Sequence, residues 1–145
     1  MKIVGLAGWS GAGKTTLLAA LIPELIRRGL TVSTMTQTHH NFDVDQPGKD
    51  SYRHRAAGAK EVLIASDRRW ALMHELRDAP EPTPTELVRH MGEVDLLLIE
   101  GFKKHAHDKL EVYRQATGKP LIANQDPHIV AILADCPVPP TKLPV

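Results

Sequence analysis

Little in this sequence points to cross-linking, to a membrane or to a strongly charged partner. Cys136 is the only cysteine in 145 residues, which excludes an internal disulfide and favours a reducing compartment. The net charge is only +1, so no global field directs the chain to nucleic acid or to a membrane surface. No apolar run approaches bilayer length, and the first residues predict a strand rather than a signal peptide. We therefore expect a cytoplasmic protein with neither nucleic acid nor membrane as a partner.

The composition does support a folded core. Hydrophobic residues make up 42% of the chain, which is enough for one compact domain of this length. We predict a single domain over 1–145, with a β-hairpin element at 60–76 and a Pro-rich, extended tail at 137–145. Cys136 lies between Asp135 and Pro137 without an activating neighbour, so we expect a structural thiol rather than a nucleophile.

Residues 8–15 match the complete phosphate-binding pattern G-x-x-x-x-G-K-[ST]. In this motif backbone N–H groups surround phosphate oxygens, Lys14 reaches the β- and γ-phosphates, and the Thr15 hydroxyl coordinates Mg²⁺. Lys14 is therefore also a catalytic candidate. The expected nucleotide-binding residues are Gly8, Trp9, Ser10, Gly11, Ala12, Gly13, Lys14, Thr15 and Thr16.

The neighbouring sequence has the context that this motif requires, a strand before it and a helix after it. Residues 2–7 form an apolar run typical of a buried strand. From Lys14 onward, apolar residues recur at three- and four-residue intervals, and Gly29 can end the helix in a left-handed conformation. The helical stripe consists of Leu17, Leu18, Leu21, Ile22, Leu25 and Ile26.

Strand-like and helix-like segments alternate along the rest of the chain. Short helices are predicted from an Asp50 cap to about Ala57 and from Pro84 to about Met91. Strands are predicted at 31–36, 61–65, 70–73, 94–99, 109–114, 120–123 and 129–133. This order predicts an α/β fold of the P-loop NTPase type, with a mainly parallel sheet flanked by helices and a small β-hairpin.

Two groups of acidic residues could take part in metal chemistry. Glu100 ends the most apolar strand, and ligands of parallel sheets bind at the carboxyl ends of strands, so we favour Glu100 with Thr15 as Mg²⁺ ligands over a solvated Glu100. Asp43 and Asp45 lie in the long loop 37–50 and could face one way on an extended segment. Either could position a water for attack on the γ-phosphate, or both could simply serve turn structure.

Basic residues form a second group of candidates. Lys103, Lys104, His105, His107 and Lys109 follow directly on Glu100 and Gly101. They could attract a second anionic ligand, or they could form an ordinary solvated loop. His40, in the long loop, is a candidate for phosphate or substrate contact.

Five stretches, taken together in their order, resemble the MobB family of molybdopterin-guanine dinucleotide biosynthesis adaptor proteins. They are residues 7–18, 38–52, 57–59, Ser66 with 69–73, and 99–103, and the resemblance extends over about 2–135. It implies GTP and Mg²⁺ as cofactors, weak GTP hydrolysis, a homodimer, and assistance to the nucleotidyltransferase that attaches GMP to molybdopterin. The segment 39–51 would face nucleotide or pterin, which makes molybdopterin a candidate ligand of His39, His40, Lys49 and Asp50.

The sequence thus predicts a GTP-binding adaptor that is at most a weak GTPase. The competing hypothesis is a small-molecule P-loop kinase, in which the basic segments would bind an acceptor and Asp43 would serve as base. The choice of GTP over ATP follows from the resemblance alone.

Overall fold

The computed structural model describes all residues from Met1 to Val145. Its main sheet has five parallel strands, in the order β2-β5-β1-β6-β7. The strands are β1 (Lys2–Ala7), β2 (Val32–Thr36), β5 (Leu96–Glu100), β6 (Lys109–Tyr113) and β7 (Ile129–Ala134). An antiparallel hairpin joins β3 (Glu61–Ala65) to β4 (Trp70–His74). The predicted α/β fold, with a mainly parallel sheet, flanking helices and a small hairpin, is confirmed.

The helices are α1 (Lys14–Arg27), α2 (Asp50–Ala56) and α3 (Pro84–Val88). None of them combines the length and the apolar character that spanning a bilayer requires. The chain forms two compact units. We call Met1–Gln37 with Pro84–Val145 the sheet unit, and Thr38–Thr83 the hairpin unit. The single domain over 1–145 stays a prediction.

Apolar side chains cover both faces of the main sheet. On one face, Leu6, Leu98 and Val112 pack with the α1 residue Leu18, and four more residues of the α1 stripe pack against them, namely Leu17, Leu21, Ile22 and Leu25. Ile26, which we placed in that stripe, is instead 56% exposed. On the other face, Leu97 and Ile99 pack beneath α3 with Phe102. Burial on both faces explains why β5 is almost continuously apolar.

Several predicted boundaries need correction. Residues 120–123 do not form a strand, because Ile122–Asn124 is a 3₁₀ turn. Asp50 is the first residue of α2 rather than its cap, since Lys49 occupies the cap position. The third helix ends at Val88, and its continuation to Met91 is a series of i to i−3 hydrogen bonds. β5 begins at Leu96 rather than at Val94.

Candidate functional site

The phosphate loop connects β1 to α1 as the motif requires. Gly13 has φ 95°, a left-handed conformation that glycine adopts at little cost, and its carbonyl accepts the first α1 hydrogen bond, from Leu17 N at 2.9 Å. The first turn of α1 therefore presents N–H groups without intrahelical acceptors toward the loop. Lys14 Nζ donates to the Gly8 carbonyl at 2.9 Å and to the Trp9 carbonyl at 3.2 Å, so the ammonium lies against the loop.

Burial lowers the pKa of Lys14, and neighbouring charges act on it in opposite directions. The Glu100 carboxylate raises this pKa, and the Lys103 ammonium lowers it further. Glu100 is the last residue of β5, and Lys103 lies in the segment that follows it. Charges at the end of β5 therefore act directly on the lysine of the phosphate loop.

Thr15 and Glu100 meet at this site, as the sequence predicts. The Thr15 hydroxyl donates to Glu100 Oε1 at 3.2 Å. The contact follows from topology, because β1 and β5 are adjacent and parallel, with Leu6 opposite Glu100. A hydroxyl and a carboxylate at the start of a phosphate-binding helix are the hard oxygen donors that Mg²⁺ prefers. The residues present therefore fit a magnesium ion.

Gln37 fixes the turn that follows Glu100, and sequence reasoning missed it. Gln37 Oε1 accepts a hydrogen bond from Phe102 N at 2.7 Å, and Gln37 N donates to the Glu100 carbonyl at 2.9 Å. Gly101 and Phe102 both have positive φ, 94° and 51°. A Cβ on Gly101 would lie 2.7 Å from Gln37 Cβ, so the close approach needs glycine there. Such strain is typical of functional turns.

Two cationic side chains that follow β6, Arg114 and Lys119, border the phosphate loop, and sequence reasoning missed both. Arg114 directly follows β6, and its guanidinium atoms are the nearest atoms to the position of a Cβ on Gly13, at 3.7 to 3.9 Å. Trp9 Nε1 donates to the Pro120 carbonyl at 2.8 Å, and Lys119 Nζ lies 5.8 Å from the centre of the indole. The position of Arg114 one residue past a strand end is the signal that could have identified it.

In the hairpin unit, Asp43 and Asp45 both bind Arg55. The Arg55 guanidinium lies 2.8 Å from Asp45 Oδ1 and 3.0 Å from Asp43 Oδ1, and Glu75 lies at 3.5 Å. Hydrogen bonding to Asp45 is the main cause of the raised pKa of Arg55. The Asp45 side chain is 1% exposed and the Asp43 side chain 57%. Asp43 is therefore the more accessible of the two carboxylates.

The other predicted residues of the long loop have no regular structure before α2. The Thr38 hydroxyl accepts a hydrogen bond from His40 N at 3.2 Å, and His39 and His40 are exposed. Lys49 caps α2, and Asp50 places a negative charge in its first turn, where the helix dipole favours it. Their predicted roles toward nucleotide or pterin stay predictions.

The basic segment after β5 is less uniform than its sequence indicates. Lys103 and Lys104 are exposed, but Lys109 is 2% exposed and donates to Asp126 Oδ2 at 2.8 Å and to the Lys103 carbonyl at 3.1 Å. Lys109 is not part of a solvated loop, since it is the first residue of the internal strand β6, where the strand predicted at 109–114 begins. His107 Nε2 is buried without a hydrogen-bond partner, and it lies 2.5 Å from the position that a Cβ on Gly5 would take.

The pKa values of two buried or half-buried groups in this region, His107 and Asp126, are shifted. Burial lowers the pKa of His107, and the Lys109 charge adds to this effect. For Asp126 burial alone would raise the pKa, but hydrogen bonds from Lys109 and from His128 N outweigh it, and the net pKa is lowered. The hydrogen bonds therefore favour the ionised form of Asp126 beside Lys109.

Glu111 is a fully buried carboxylate that sequence reasoning missed. It accepts hydrogen bonds from Ile122 N at 2.7 Å and from Ala123 N at 2.8 Å. Since the carboxylate binds both N–H groups, neither is available to a sheet ladder, and a 3₁₀ turn is found there in place of the predicted strand. Lys109 and Glu111 lie on one face of β6, since alternate residues of a strand share a face.

The sheet unit also contains a cavity of about 720 Å³ away from the phosphate loop. It adjoins the amino ends of β1 and β5, far along the strands from the phosphate loop. Its Asp95 carboxylate is occupied by Thr31, which donates from both N and Oγ1 at 2.8 Å. Ligands of parallel sheets bind at the opposite, carboxyl ends, so we place the functional site at the phosphate loop.

Comparison with known proteins gives the family of this chain. Residues 3–135 match the family described as Molybdopterin guanine dinucleotide synthesis protein B. The chain is 43% identical over 141 residues to the molybdopterin-guanine dinucleotide biosynthesis adapter protein of Escherichia coli K12, covering 95% of this chain and 81% of that protein. It is 41% identical to the protein of the same name from Haemophilus influenzae, covering 95% and 77%.

Solved structures share the fold. The crystal structure described as molybdopterin-guanine biosynthesis protein B superposes with a TM-score of 0.72 at 26% identity, covering 98% of this chain and 88% of that chain. The Bacillus subtilis MobB structure superposes with a TM-score of 0.73 at 23% identity, covering 99% and 88%. The match to the family over 3–135, with the relatives at 41% and 43% identity, establishes that the chain belongs to the molybdopterin-guanine dinucleotide synthesis protein B family.

Proposed function

We propose that this protein is a GTP-binding adaptor that assists the conversion of molybdopterin to its guanine dinucleotide form, with weak Mg²⁺-dependent GTP hydrolysis. The observation that carries the proposal is the contact between Thr15 and Glu100 at 3.2 Å beside a complete phosphate loop. The biosynthetic role comes from the family and from the names of the relatives. Guanine is the base named in that product, which supports GTP as the nucleotide.

Each part of the phosphate loop has a separate task in this proposal. The N–H groups of residues 10–16 hold the phosphate oxygens, and Lys14 neutralises charge on the β- and γ-phosphates. Thr15 and Glu100 would hold Mg²⁺, which when bound offsets negative charge between the phosphates. Arg114 adds a cation at the Gly13 side of the loop.

Weak hydrolysis is consistent with the carboxylates that the chain offers. Asp43 and Asp45 are the candidates for positioning water, and both are engaged by Arg55. Because Arg55 binds oxygens of both carboxylates, neither is fully available to orient an attacking water, and we expect hydrolysis to be slow. We further propose that segment 39–51 responds to bound nucleotide. Hydrogen exchange of that segment, measured with and without GTP, tests this response.

We propose two protein partners, the molybdenum cofactor nucleotidyltransferase and a second copy of this chain. The hairpin supports the homodimer. Val62 is buried on one face, whereas Leu63, Leu72 and Trp70 share the opposite face and are 60%, 44% and 67% exposed. A contiguous exposed apolar face of this kind typically marks an interaction surface.

A pull-down with the cognate nucleotidyltransferase tests the function most broadly. We expect the chain to capture the nucleotidyltransferase. The amount of captured nucleotidyltransferase should change when Mg²⁺ and GTP are added. Lys14→Ala should abolish the nucleotide effect, because it removes the β/γ-phosphate contact. Fast ATP turnover stimulated by one metabolite, with no capture of the transferase, would instead establish the small-molecule kinase.

A further inference from the structure

A second cavity lies next to the phosphate loop, within the sheet unit. Its volume is about 400 Å³, within the range of small-molecule sites. Its wall includes Ala7, the residue before the phosphate loop, and Gly101, the residue after Glu100. The rest of the wall comes from Leu6 of β1, from Lys109 of β6, from the segment after β5 and from the segment that precedes β7. The cavity is therefore separate from the loop amides but adjacent to them.

The charges that line this cavity are predominantly positive. Lys103, Lys104, His105 and His128 all contribute to the wall, and neither lysine forms an ion pair within the protein. The one acidic residue in the wall, Asp126, is already paired with Lys109. Free ammonium groups and imidazoles around a concave site are the donors that recognise phosphate.

The wall is held in place by buried contacts rather than left to loop flexibility. Lys109 joins the two segments of the wall, because it bonds both Asp126 and the Lys103 carbonyl. The buried Glu111 carboxylate accepts a hydrogen bond from Ile122 N and so holds the turn that contains Ile122. On the other side, the hydrogen bond from Phe102 N to Gln37 fixes the strained turn that begins the basic segment. A buried scaffold of this kind preorganises a binding site.

We propose that this cavity binds a small molecule through a phosphate monoester, beside the nucleotide on the phosphate loop. Lys103 and Lys104 are the primary phosphate contacts, and His105 and His128 complete the recognition from the two sides of the wall. Gln125 lies in the same wall and offers an amide for a polar ring. The proposal rests on the proposed function only in that a nucleotide occupies the neighbouring loop. The phosphate monoester could belong to a pterin or to a second nucleotide.

Nuclear magnetic resonance of the full chain tests the cavity directly. The imidazole signals of His105 and His128 are followed during titration with inorganic phosphate, while the phosphate loop is saturated with Mg²⁺ and GTP. We expect saturable shifts of both signals. The double variant Lys103→Gln, Lys104→Gln should weaken binding about tenfold or more, as loss of charge-assisted hydrogen bonds predicts. Lys142→Gln, an exposed lysine of the tail, is the matched control and should bind as the parent does.

Two further experiments identify the molecule that carries the phosphate monoester and distinguish failure of this proposal from failure of the proposed function. GMP and a phosphorylated hydroxymethylpterin are titrated in the same way, and the one that binds more tightly identifies the source. In Lys14→Ala, the cavity should still bind phosphate although the loop does not bind GTP. The proposal is overturned if the histidine signals do not shift, or if Lys142→Gln weakens binding as much as the double variant does. Absence of GTP binding in the parent chain would contradict the proposed function alone.

Discussion

The Thr15 hydroxyl and the Glu100 carboxylate lie 3.2 Å apart although 85 residues separate them in the chain. Thr15 lies in the first turn of the helix that follows the phosphate loop, and Glu100 ends the neighbouring parallel strand. Parallel strands bring their carboxyl ends to one edge of the sheet, so two oxygen donors meet beside the loop amides. This contact joins the phosphate-binding motif to the end of β5.

Gly101→Ala should destabilise the sheet unit by about 2 kcal/mol. The substitution places a Cβ at φ 94° and 2.7 Å from Gln37 Cβ, so the turn after Glu100 must move. Chemical denaturation measures the change in the free energy of unfolding. Gly92→Ala is the control, because no atom lies within 4 Å of its Cβ position and its φ is not positive. Equal effects of the two substitutions would contradict the described turn.

Asp126→Asn should destabilise the protein by about 3 kcal/mol, because it leaves the buried Lys109 ammonium without its carboxylate. Since the pKa of Asp126 is lowered below its usual 3.8, its contribution is present above that pH and is lost as pH falls through the folded-state pKa. Asp135→Asn is the control and should cost less than about 1 kcal/mol, because its pair with Arg114 is exposed. Thermal or urea unfolding at pH 7 distinguishes the two variants.

His107 should make the fold sensitive to mild acid. Its pKa is lowered below 6.5 by burial, so the unfolded chain takes up a proton before the folded chain does. Stability should therefore fall as pH decreases from 6.5 toward the folded-state pKa, and level off below it. His107→Gln should flatten that part of the stability–pH curve, whereas His90→Gln, at an exposed position, should leave it unchanged. An unaltered curve in His107→Gln would show that another group is responsible.

Leu72→Glu should convert the proposed homodimer to a monomer. The substitution introduces a charge into the exposed apolar face that Leu72 forms with Leu63 and Trp70. Light scattering coupled to size-exclusion chromatography reports the molar mass. Ile26→Glu places the same charge at an apolar α1 residue that is 56% exposed, and it should not change the mass. A dimer that persists in Leu72→Glu would exclude this face as the interface.

The sequence predicts the parts of this molecule that depend on local pattern. The phosphate loop and its flanking strand and helix follow from a contiguous motif, and Glu100 follows from the rule that ligands bind at strand ends. Lys109 and Glu111 could not be predicted as buried, because charges at alternate positions of a strand are typical of a solvent-facing side. Gln37 was missed because its bond to Phe102 joins residues 65 positions apart. No short-range pattern records such a contact.

Calorimetric titration of GTP into the parent chain and into Glu100→Gln, each with and without Mg²⁺, tests the central claim most directly. If Thr15 and Glu100 hold the metal, Mg²⁺ should strengthen GTP binding to the parent chain, and Glu100→Gln should lose most of that gain. Binding without Mg²⁺ should change little, because the loop amides and Lys14 remain. Equal losses of affinity with and without Mg²⁺ would contradict the metal site and leave Glu100 as a structural partner of Thr15.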